Sequence, residues 1–240
     1  MITAEDLRQI YKHDYVAEAD GRITVKEHQD NPDALSEITF LFSGHITHIR
    51  SSIIGKSDSL HRTDAQRALI LSKIFDGLLI LDTDDDRHYI IYLEMKSGFN
   101  DVRKKAVQQI PASYLKINSL LRNFTSYDKS RYKELGLIVS YPPKSDTTDS
   151  RKVLAGKIDF IDKDSEEYIK EKYFKALREH SFAIFDGHDF YMDALKNVSP
   201  EILFKTLPVF HIAVEDKCVT TQIDLDDVIN NVVNVNTAEK

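Results

Sequence analysis

Three residues of types that can do chemistry, Asp76, Glu94 and Lys96, lie in one short stretch of the chain. Asp76 stands near the start of an apolar run over residues 75–81, and Glu94 and Lys96 close a second apolar run that starts at residue 88. Runs rich in Ile, Leu and Tyr that flank one short polar turn are typical of two antiparallel strands. The stretch therefore predicts a β-hairpin.

The position of the turn predicts which residues of the hairpin oppose one another. With the turn centred near Asp85, Asp76 falls opposite Glu94, and the Cβ atoms of opposed residues lie about 5 Å apart. Lys96 follows Glu94 by two residues and therefore points to the same face. This convergence depends on the register, because a slip of one residue would break the opposition.

Two carboxylates at that distance repel each other and raise each other's pKa unless a cation lies between them. Carboxylate oxygens are the ligands that Mg²⁺ and Mn²⁺ prefer. The Lys96 ammonium would then orient a water molecule or stabilise negative charge that develops on a phosphate. The alternative is a solvated edge hairpin with one salt bridge. The strand context favours a site, because Glu94 and Lys96 end an otherwise apolar strand.

The pair Phe75-Asp76, followed by Glu94-Met95-Lys96, resembles the core of the PD-(D/E)xK nuclease superfamily. The resemblance covers residues 63–139, which would form a helix, two strands, a helix and a strand. It implies that Asp76, Glu94 and the Met95 carbonyl bind Mg²⁺ or Mn²⁺, and that Lys96 positions the attacking water. Phe75 stands where the family has proline, which leaves the ligand set intact.

The same resemblance suggests further site residues. The family sometimes adds an acidic ligand upstream of the hairpin, and Glu5, Glu18 and Glu37 are candidates among which the sequence does not choose. Gln109 stands near the start of the next helix, as a glutamine does in several branches of the superfamily. Position 113 is serine where a tyrosine would strengthen the match, so Gln109 stays open between a site residue and a surface glutamine.

A basic segment follows the hairpin. Between residues 96 and 133 only two acidic residues oppose nine basic ones, Lys96, Arg103, Lys104, Lys105, Lys116, Arg122, Lys129, Arg131 and Lys133. This local net charge of +7 stands in a chain whose net charge is −7. A charge run is usually a solvated helix face. Because this excess starts beside the proposed metal site, Arg103, Lys104, Lys105 and Lys116 are the predicted contacts to nucleic acid.

Composition limits the class of protein. The 240 residues are 42% hydrophobic, which is enough for a sizeable core. The only cysteine, Cys218, excludes an internal disulfide and fits a reducing compartment. The sequence shows neither a signal-peptide pattern nor an apolar run long enough to span a membrane. We therefore expect a soluble, cytoplasmic protein without a membrane partner.

The remaining patterns predict an α/β (α+β) fold, in which a mixed central sheet with flanking helices forms a restriction-endonuclease-like core. Residues 63–66 form a capping box for a helix that ends near residue 74. A longer apolar stripe over residues 107–124 predicts a helix with a kink or break at Pro111. The loop after the strand at residues 135–140 suggests a nuclease core over 1–145 and an acidic α/β extension over 146–240, packed on the core.

Two functional hypotheses follow. The first is a Mg²⁺- or Mn²⁺-dependent endonuclease that hydrolyses phosphodiester bonds of DNA, with RNA as the alternative substrate. By analogy it would work with a protein partner or as a homo-oligomer, as a subunit of a restriction or anti-phage defence complex. The second is a non-catalytic subunit that keeps the nuclease-like fold for binding nucleic acid or protein. Retention of Asp76, Glu94 and Lys96 favours the first.

Overall fold

The computed structural model describes residues 1–11, 13–27, 34–51, 53, 75–142, 166–190 and 203–238. The first helix, α1 (Ala4–Ile10), begins at Thr3, whose side chain caps it together with Asp6 in a capping box. Two long strands follow, β1 (Val16–Lys26) and β2 (Glu37–Arg50). The predicted helix from residue 63 to residue 74 lies outside the described residues.

The predicted hairpin is confirmed. It consists of β3 (Gly77–Asp82) and β4 (His88–Lys96), which pair antiparallel. Gly77 lies opposite Leu93, and the pairing continues in that register to Asp82 and His88. The ladder ends at that pair, and Asp76, just before β3, donates its N–H to the Leu93 carbonyl oxygen, so the predicted opposition of Asp76 and Glu94 lies outside the paired residues. Apolar strands around a single short turn leave the chain little choice of pairing.

One continuous helical segment follows β4. It starts with the short helix Phe99–Asp101, continues through a π-helical turn, Val102–Ala106, and becomes α2 (Val107–Leu121). Pro111 lies inside α2 without breaking it, so the predicted break is wrong. The irregularity is the π-helical turn just before α2, and such turns widen the backbone ladder locally.

The rest of the chain alternates strands and helices. Strand β5 (Tyr132–Ser140) precedes helix α3 (Glu166–His180), strand β6 (Phe182–Asp186) and strand β7 (Thr206–Ala213). The last elements are strand β8 (Thr220–Asp224) and helix α4 (Leu225–Ala238). The described chain is helical to Ala238.

The strands form one mixed sheet in the order β1-β2-β3-β4-β5-β7-β6, and β8 pairs with β2. Strands β4, β5 and β7 run parallel, whereas β1–β2, β2–β3, β3–β4 and β6–β7 are antiparallel. The predicted mixed α/β architecture with flanking helices is therefore present. Because β6, β7 and β8 belong to this sheet, the predicted division near residue 145 does not coincide with a break in it.

Apolar residues cover both faces of the sheet. On one face, alternate residues of β3 and β4 pack with α1, α2 and α3, as Ile80, Tyr92 and Ile110 show. On the opposite face, Leu79 and Leu93 pack with residues of β1, β2 and α4. A sheet covered on both faces explains why β4 is buried along its whole length. In the described part of the chain, no helix is long and apolar enough to cross a membrane.

Two stretches of backbone approach each other closely at Gly44 in β2. The first part of β2 pairs with β8 and the second part with β3, where His45 lies opposite Asp82. A Cβ atom on Gly44 would lie 2.3 Å from the Asp82 carbonyl oxygen, so only glycine fits there. Residues on both sides of Gly44 belong to one continuous strand.

Candidate active site

Backbone hydrogen bonds hold Asp76 at the entrance to β3. Its own N–H donates to the carbonyl oxygen of Leu93 at 3.0 Å. The N–H of Met95 donates to Asp76 Oδ2 at 2.6 Å. One residue earlier, the N–H of Phe75 donates to the buried hydroxyl of Ser113 at 2.9 Å. The carboxylate is therefore fixed both by its own contacts and by the backbone around it.

Glu94 and Lys96 stand at the carboxyl end of β4, on the sheet face that packs against α2. Glu94 is fully buried, and its Oε1 accepts a hydrogen bond from Lys96 Nζ. The same ammonium donates to the Met95 carbonyl oxygen at 3.0 Å and lies 3.7 Å from Asp76 Oδ2. The structure thus brings together Asp76, Glu94 and Lys96.

One cation contacts all three of the oxygen-bearing groups that the sequence singled out. The groups are the Asp76 and Glu94 carboxylates and the Met95 carbonyl, and the cation is the Lys96 ammonium. Such an arrangement shows that the three oxygens share a common centre. The roles assigned to these residues in metal binding and catalysis stay predictions.

The buried charges shift one another's proton affinities. Burial raises the pKa of Glu94 well above its ordinary value, and the neighbouring Asp76 raises it further, against the opposing effect of Lys96. Burial alone would lower the pKa of Lys96, but the charges of Glu94 and Asp76 outweigh it, so that the pKa is raised. Since both pKa values are raised, Glu94 and Lys96 hold their protons more tightly than the isolated side chains would.

One oxygen of this cluster is a candidate metal ligand. Within the described residues, Glu94 Oε2 is buried without a hydrogen-bond partner, which is costly for a carboxylate oxygen. Together with Asp76 and the Met95 carbonyl it forms a hard oxygen donor set that fits Mg²⁺ or Mn²⁺. Among the described residues no three His, Cys, Asp or Glu side chains form a metal cluster, so the protein ligands would be two carboxylates and one carbonyl.

One upstream acidic residue that influences the site, Glu27, was missed by sequence reasoning. Glu27 directly follows β1, and its charge raises the pKa of both Glu94 and Lys96. The sequence carried no signal for Glu27, because its place depends on how β1 packs in the sheet.

The three upstream candidates have other surroundings. Glu18 pairs with Arg8 at 2.5 Å and Glu37 with Lys26 at 2.7 Å, while Glu5 is exposed on α1. None of these three is among the main causes of the raised pKa of Glu94 and Lys96. Their spacing in the sequence carried no information about which strand end faces the hairpin.

Gln109 lies near the start of α2 and is half-buried. None of the hydrogen bonds that the structure gives Asp76, Glu94 and Lys96 involves it. Its assignment to the site therefore gains no support from these contacts. The same helix contributes Ser113 instead, at the position where the resemblance favoured a tyrosine.

The basic segment divides into buried and exposed members. Lys116 is only 4% exposed, so its predicted contact with nucleic acid gains no support and stays a prediction. Lys129 bonds the hydroxyl of Tyr114, and Arg131 lies 3.5 Å from Asp86. Lys105 is exposed on the π-helical turn. The side chains of Arg103 and Lys104 lie outside the described part of the structure.

Two histidines in β2 drew attention as a metal-binding pair. His45 lies beside Asp20, with Nδ1 2.7 Å from Oδ1, whereas His48 is buried near Gly77. Burial, with a smaller effect from Arg50, lowers the pKa of His48 to about 4. Because the two histidines are three positions apart in one strand, their side chains point to opposite faces of it.

A second polar pair lies on the strands beyond Lys96. Lys96 is level with Ser140 in the parallel pairing of β4 and β5, and Ser140 Oγ lies 2.8 Å from His211 Nε2 on β7. Burial lowers the pKa of His211 to about 4, so its imidazole is neutral at pH 7. Polar side chains thus continue across the carboxyl ends of three parallel strands, where open α/β sheets commonly bind ligands.

No family model matches the chain, and neither the curated proteins nor the solved structures gave a significant match.

Proposed function

We propose that the protein is a divalent-metal-dependent nuclease that hydrolyses phosphodiester bonds, with DNA as the favoured substrate and RNA as the alternative. The observation that supports this most strongly is the common centre of the Asp76, Glu94 and Met95 oxygens around the Lys96 ammonium. The resemblance of these residues to the PD-(D/E)xK motif gives the same assignment.

The carboxylates of Asp76 and Glu94 and the Met95 carbonyl would hold Mg²⁺ or Mn²⁺. When bound, the ion lowers the pKa of water and neutralises charge on a phosphate. Glu94 Oε2, which is buried without a hydrogen-bond partner among the described residues, would be one of the oxygens that hold the ion. Lys96, which bonds Glu94 Oε1 in the structure described, would then be available to the substrate.

Lys96 would orient the attacking water and stabilise negative charge on the phosphate. The water oxygen forms a bond to phosphorus, and the bond between phosphorus and the 3′ oxygen breaks. The leaving oxygen gains a proton as the water loses one, which leaves a 5′-phosphate and a 3′-hydroxyl. Asp76 and Glu94 keep the reacting groups in place without changing covalently.

Nucleic acid would approach over the helical segment that follows β4. Lys105 is exposed there, and Arg103 and Lys104 precede it on the same π-helical turn. Arg122 and Lys133 are exposed further along the same basic segment. In a chain of net charge −7, this segment concentrates the positive potential that attracts a phosphate backbone.

A second candidate function rests on the ion pairs themselves. Because Lys96 bonds Glu94 and lies beside Asp76, the cluster also satisfies itself as an internal salt bridge. This contact favours a non-catalytic subunit that binds nucleic acid or a protein partner. In either case we propose, by analogy, a cytoplasmic subunit of a restriction or anti-phage defence complex.

The deciding experiment is incubation of the purified chain with single-stranded and duplex DNA and RNA. Parallel reactions contain Mg²⁺, Mn²⁺ or a chelator. The parent should cleave at least one substrate only with metal, and Glu94→Gln should not cleave. Asp85→Asn, which removes a carboxylate from the hairpin turn, should cleave like the parent. Binding without cleavage by the parent under all conditions would support the second function instead.

A binding experiment tests where the backbone lies. Replacing Arg103, Lys104 and Lys105 by alanine should weaken binding of duplex DNA of any sequence, because phosphate contacts carry no base information. Each lost contact reduces the slope of log K against log salt by about 0.9. The matched control replaces three exposed lysines of the C-terminal region, Lys175, Lys205 and Lys217, and should keep the parental slope. Equal slopes in both triple variants would place the binding surface elsewhere.

A further inference from the structure

Residues Phe75 and Asp76, just before β3, form hydrogen bonds with two other elements, β4 and α2. Within the hairpin, the Asp76 N–H bonds the Leu93 carbonyl, and the Met95 N–H bonds Asp76 Oδ2. The third hydrogen bond comes from α2, where Ser113 Oγ accepts the N–H of Phe75 at 2.9 Å. This last contact joins residues 38 positions apart in the chain and is the only one of the three from outside the hairpin.

Ser113 makes an unusual contact for a serine in the middle of a helix. Such hydroxyls commonly donate to the carbonyl four residues earlier, as Ser119 does to Leu115 at 2.9 Å. The hydroxyl of Ser113 instead accepts a backbone donor from another element. Ser113 is fully buried and Phe75 is 1% exposed, so no water can replace the serine as the acceptor.

The Phe75 N–H has to find a partner because it lies just before β3, outside the strand ladder. Without Ser113 it would be a buried, unsatisfied donor, and the backbone would shift to relieve this. The next residue along the chain is Asp76. A small rotation at Phe75 therefore moves the Asp76 carboxylate relative to Glu94.

We propose that Ser113 is a positioning residue of the metal site. Its hydroxyl fixes the backbone at Phe75 and thereby sets the place of the Asp76 carboxylate relative to Glu94. This inference rests on the proposed function, since it assumes that Asp76 and Glu94 hold a divalent cation. It also gives α2 a role in the site that passes through Ser113 rather than Gln109.

The test measures Mn²⁺ affinity by calorimetry and, separately, Tm without metal. Variants are Ser113→Ala, Ser113→Cys and, as the matched control in the same helix, Ser119→Ala. Ser113→Ala should bind Mn²⁺ about tenfold more weakly, as expected when an outer partner of a ligand is lost. Ser113→Cys, whose thiol is a weak acceptor of similar size, should fall between it and the parent, and it serves as the test if the alanine variant does not fold. Ser119→Ala should bind like the parent.

The outcomes separate this inference from the proposed function. If the parent itself does not bind Mn²⁺, the proposed function fails and the inference fails with it. If the parent binds and the Ser113 variants bind equally well, the proposed function stands and the inference is overturned. A lower Tm with unchanged Mn²⁺ affinity would also overturn it, because this result indicates a purely structural serine.

Discussion

The two ends of the β3–β4 hairpin carry the same kinds of charged residues in opposite surroundings. At the end where the site lies, the side chains of Asp76, Glu94 and Lys96 are 11%, 0% and 10% exposed. At the turn, the side chains of Asp85 and Arg87 are 57% and 47% exposed. Both ends contain carboxylates next to a cation, so residue type alone does not distinguish them.

The difference appears in the direction of the carboxylate pKa shifts. At the turn, hydrogen bonds from Arg87 and Thr83 lower the pKa of Asp85 to about 2. At the site, burial and Asp76 raise the pKa of Glu94 although Lys96 bonds it. Water stabilises each charge at the turn, whereas at the site the charges depend on one another.

This contrast is the reason for placing the proposed function at the end that carries Asp76, Glu94 and Lys96. A buried ion pair often stabilises a folded protein no more than apolar residues of the same volume would. Stability alone is therefore a weak explanation for such a pair. Clusters of strongly shifted carboxylates are typical of functional sites. The turn carries more acidic residues than the site, but those residues are exposed to solvent, so their presence does not require a functional role.

The largest expected effect is on catalysis. Asp76→Ala, Glu94→Ala and Lys96→Ala should each abolish cleavage, because each removes a cation ligand or the group that stabilises the phosphate. Asp85→Ala and Arg87→Ala at the turn should keep the parental rate. The measurement is the initial rate with saturating Mn²⁺, with circular dichroism to check the fold. A site variant that cuts as fast as the parent would contradict the assignment.

The second effect is on stability without metal. Lys96→Met removes the only cation that contacts Glu94 in the described structure, and breaking one partner of a buried pair costs about 3 kcal/mol. Mn²⁺ should recover part of this loss by supplying another cation. Arg87→Met, at the turn, should leave the urea midpoint unchanged. Equal midpoints for the parent and Lys96→Met would show that the buried pair is not coupled as the structure indicates.

The third effect is the pH dependence of Mn²⁺ binding. Because the pKa of Glu94 is raised on folding, its contribution to stability is complete below the ordinary glutamate pKa and is lost as pH rises through the raised value. Binding requires the ionised carboxylate, so affinity should increase about tenfold per pH unit until that value is passed. Calorimetry in buffers of different ionisation enthalpy counts the released proton. Glu94→Gln should lose this release, and release that persists in Glu94→Gln would assign the proton elsewhere.

The hairpin was predictable from the sequence because its constraints are local. Two apolar runs and a short turn determine the pairing, and the period of two then sets Asp76, Glu94 and Lys96 on one face. Ser113 and Glu27 were not predictable, because their places depend on how α2 and β1 pack against the hairpin. The burial of Lys116 was missed for the same reason, since a charge run reads as a solvated face until the packing is known.

The smallest expected effect lies at the turn and tests whether its charges are independent of the site. The pKa of Asp85 is lowered on folding, chiefly by its hydrogen bonds with Arg87 and Thr83. Its stabilising contribution is therefore present above the ordinary aspartate pKa and is lost as pH falls through about 2. Asp85→Asn should change Tm only slightly at pH 7, since solvent and salt screen an exposed pair.

The control for that variant is the parent in 1 M salt, where the Debye length is only about 3 Å and the parent and Asp85→Asn should become alike. Mn²⁺ affinity, measured on both proteins, should be the same at either salt concentration. A change in Mn²⁺ affinity in Asp85→Asn would mean that the turn communicates with Asp76 and Glu94 along the paired strands. The two ends of the hairpin would then form one electrostatic unit, and exposure alone would no longer separate functional carboxylates from solvated ones.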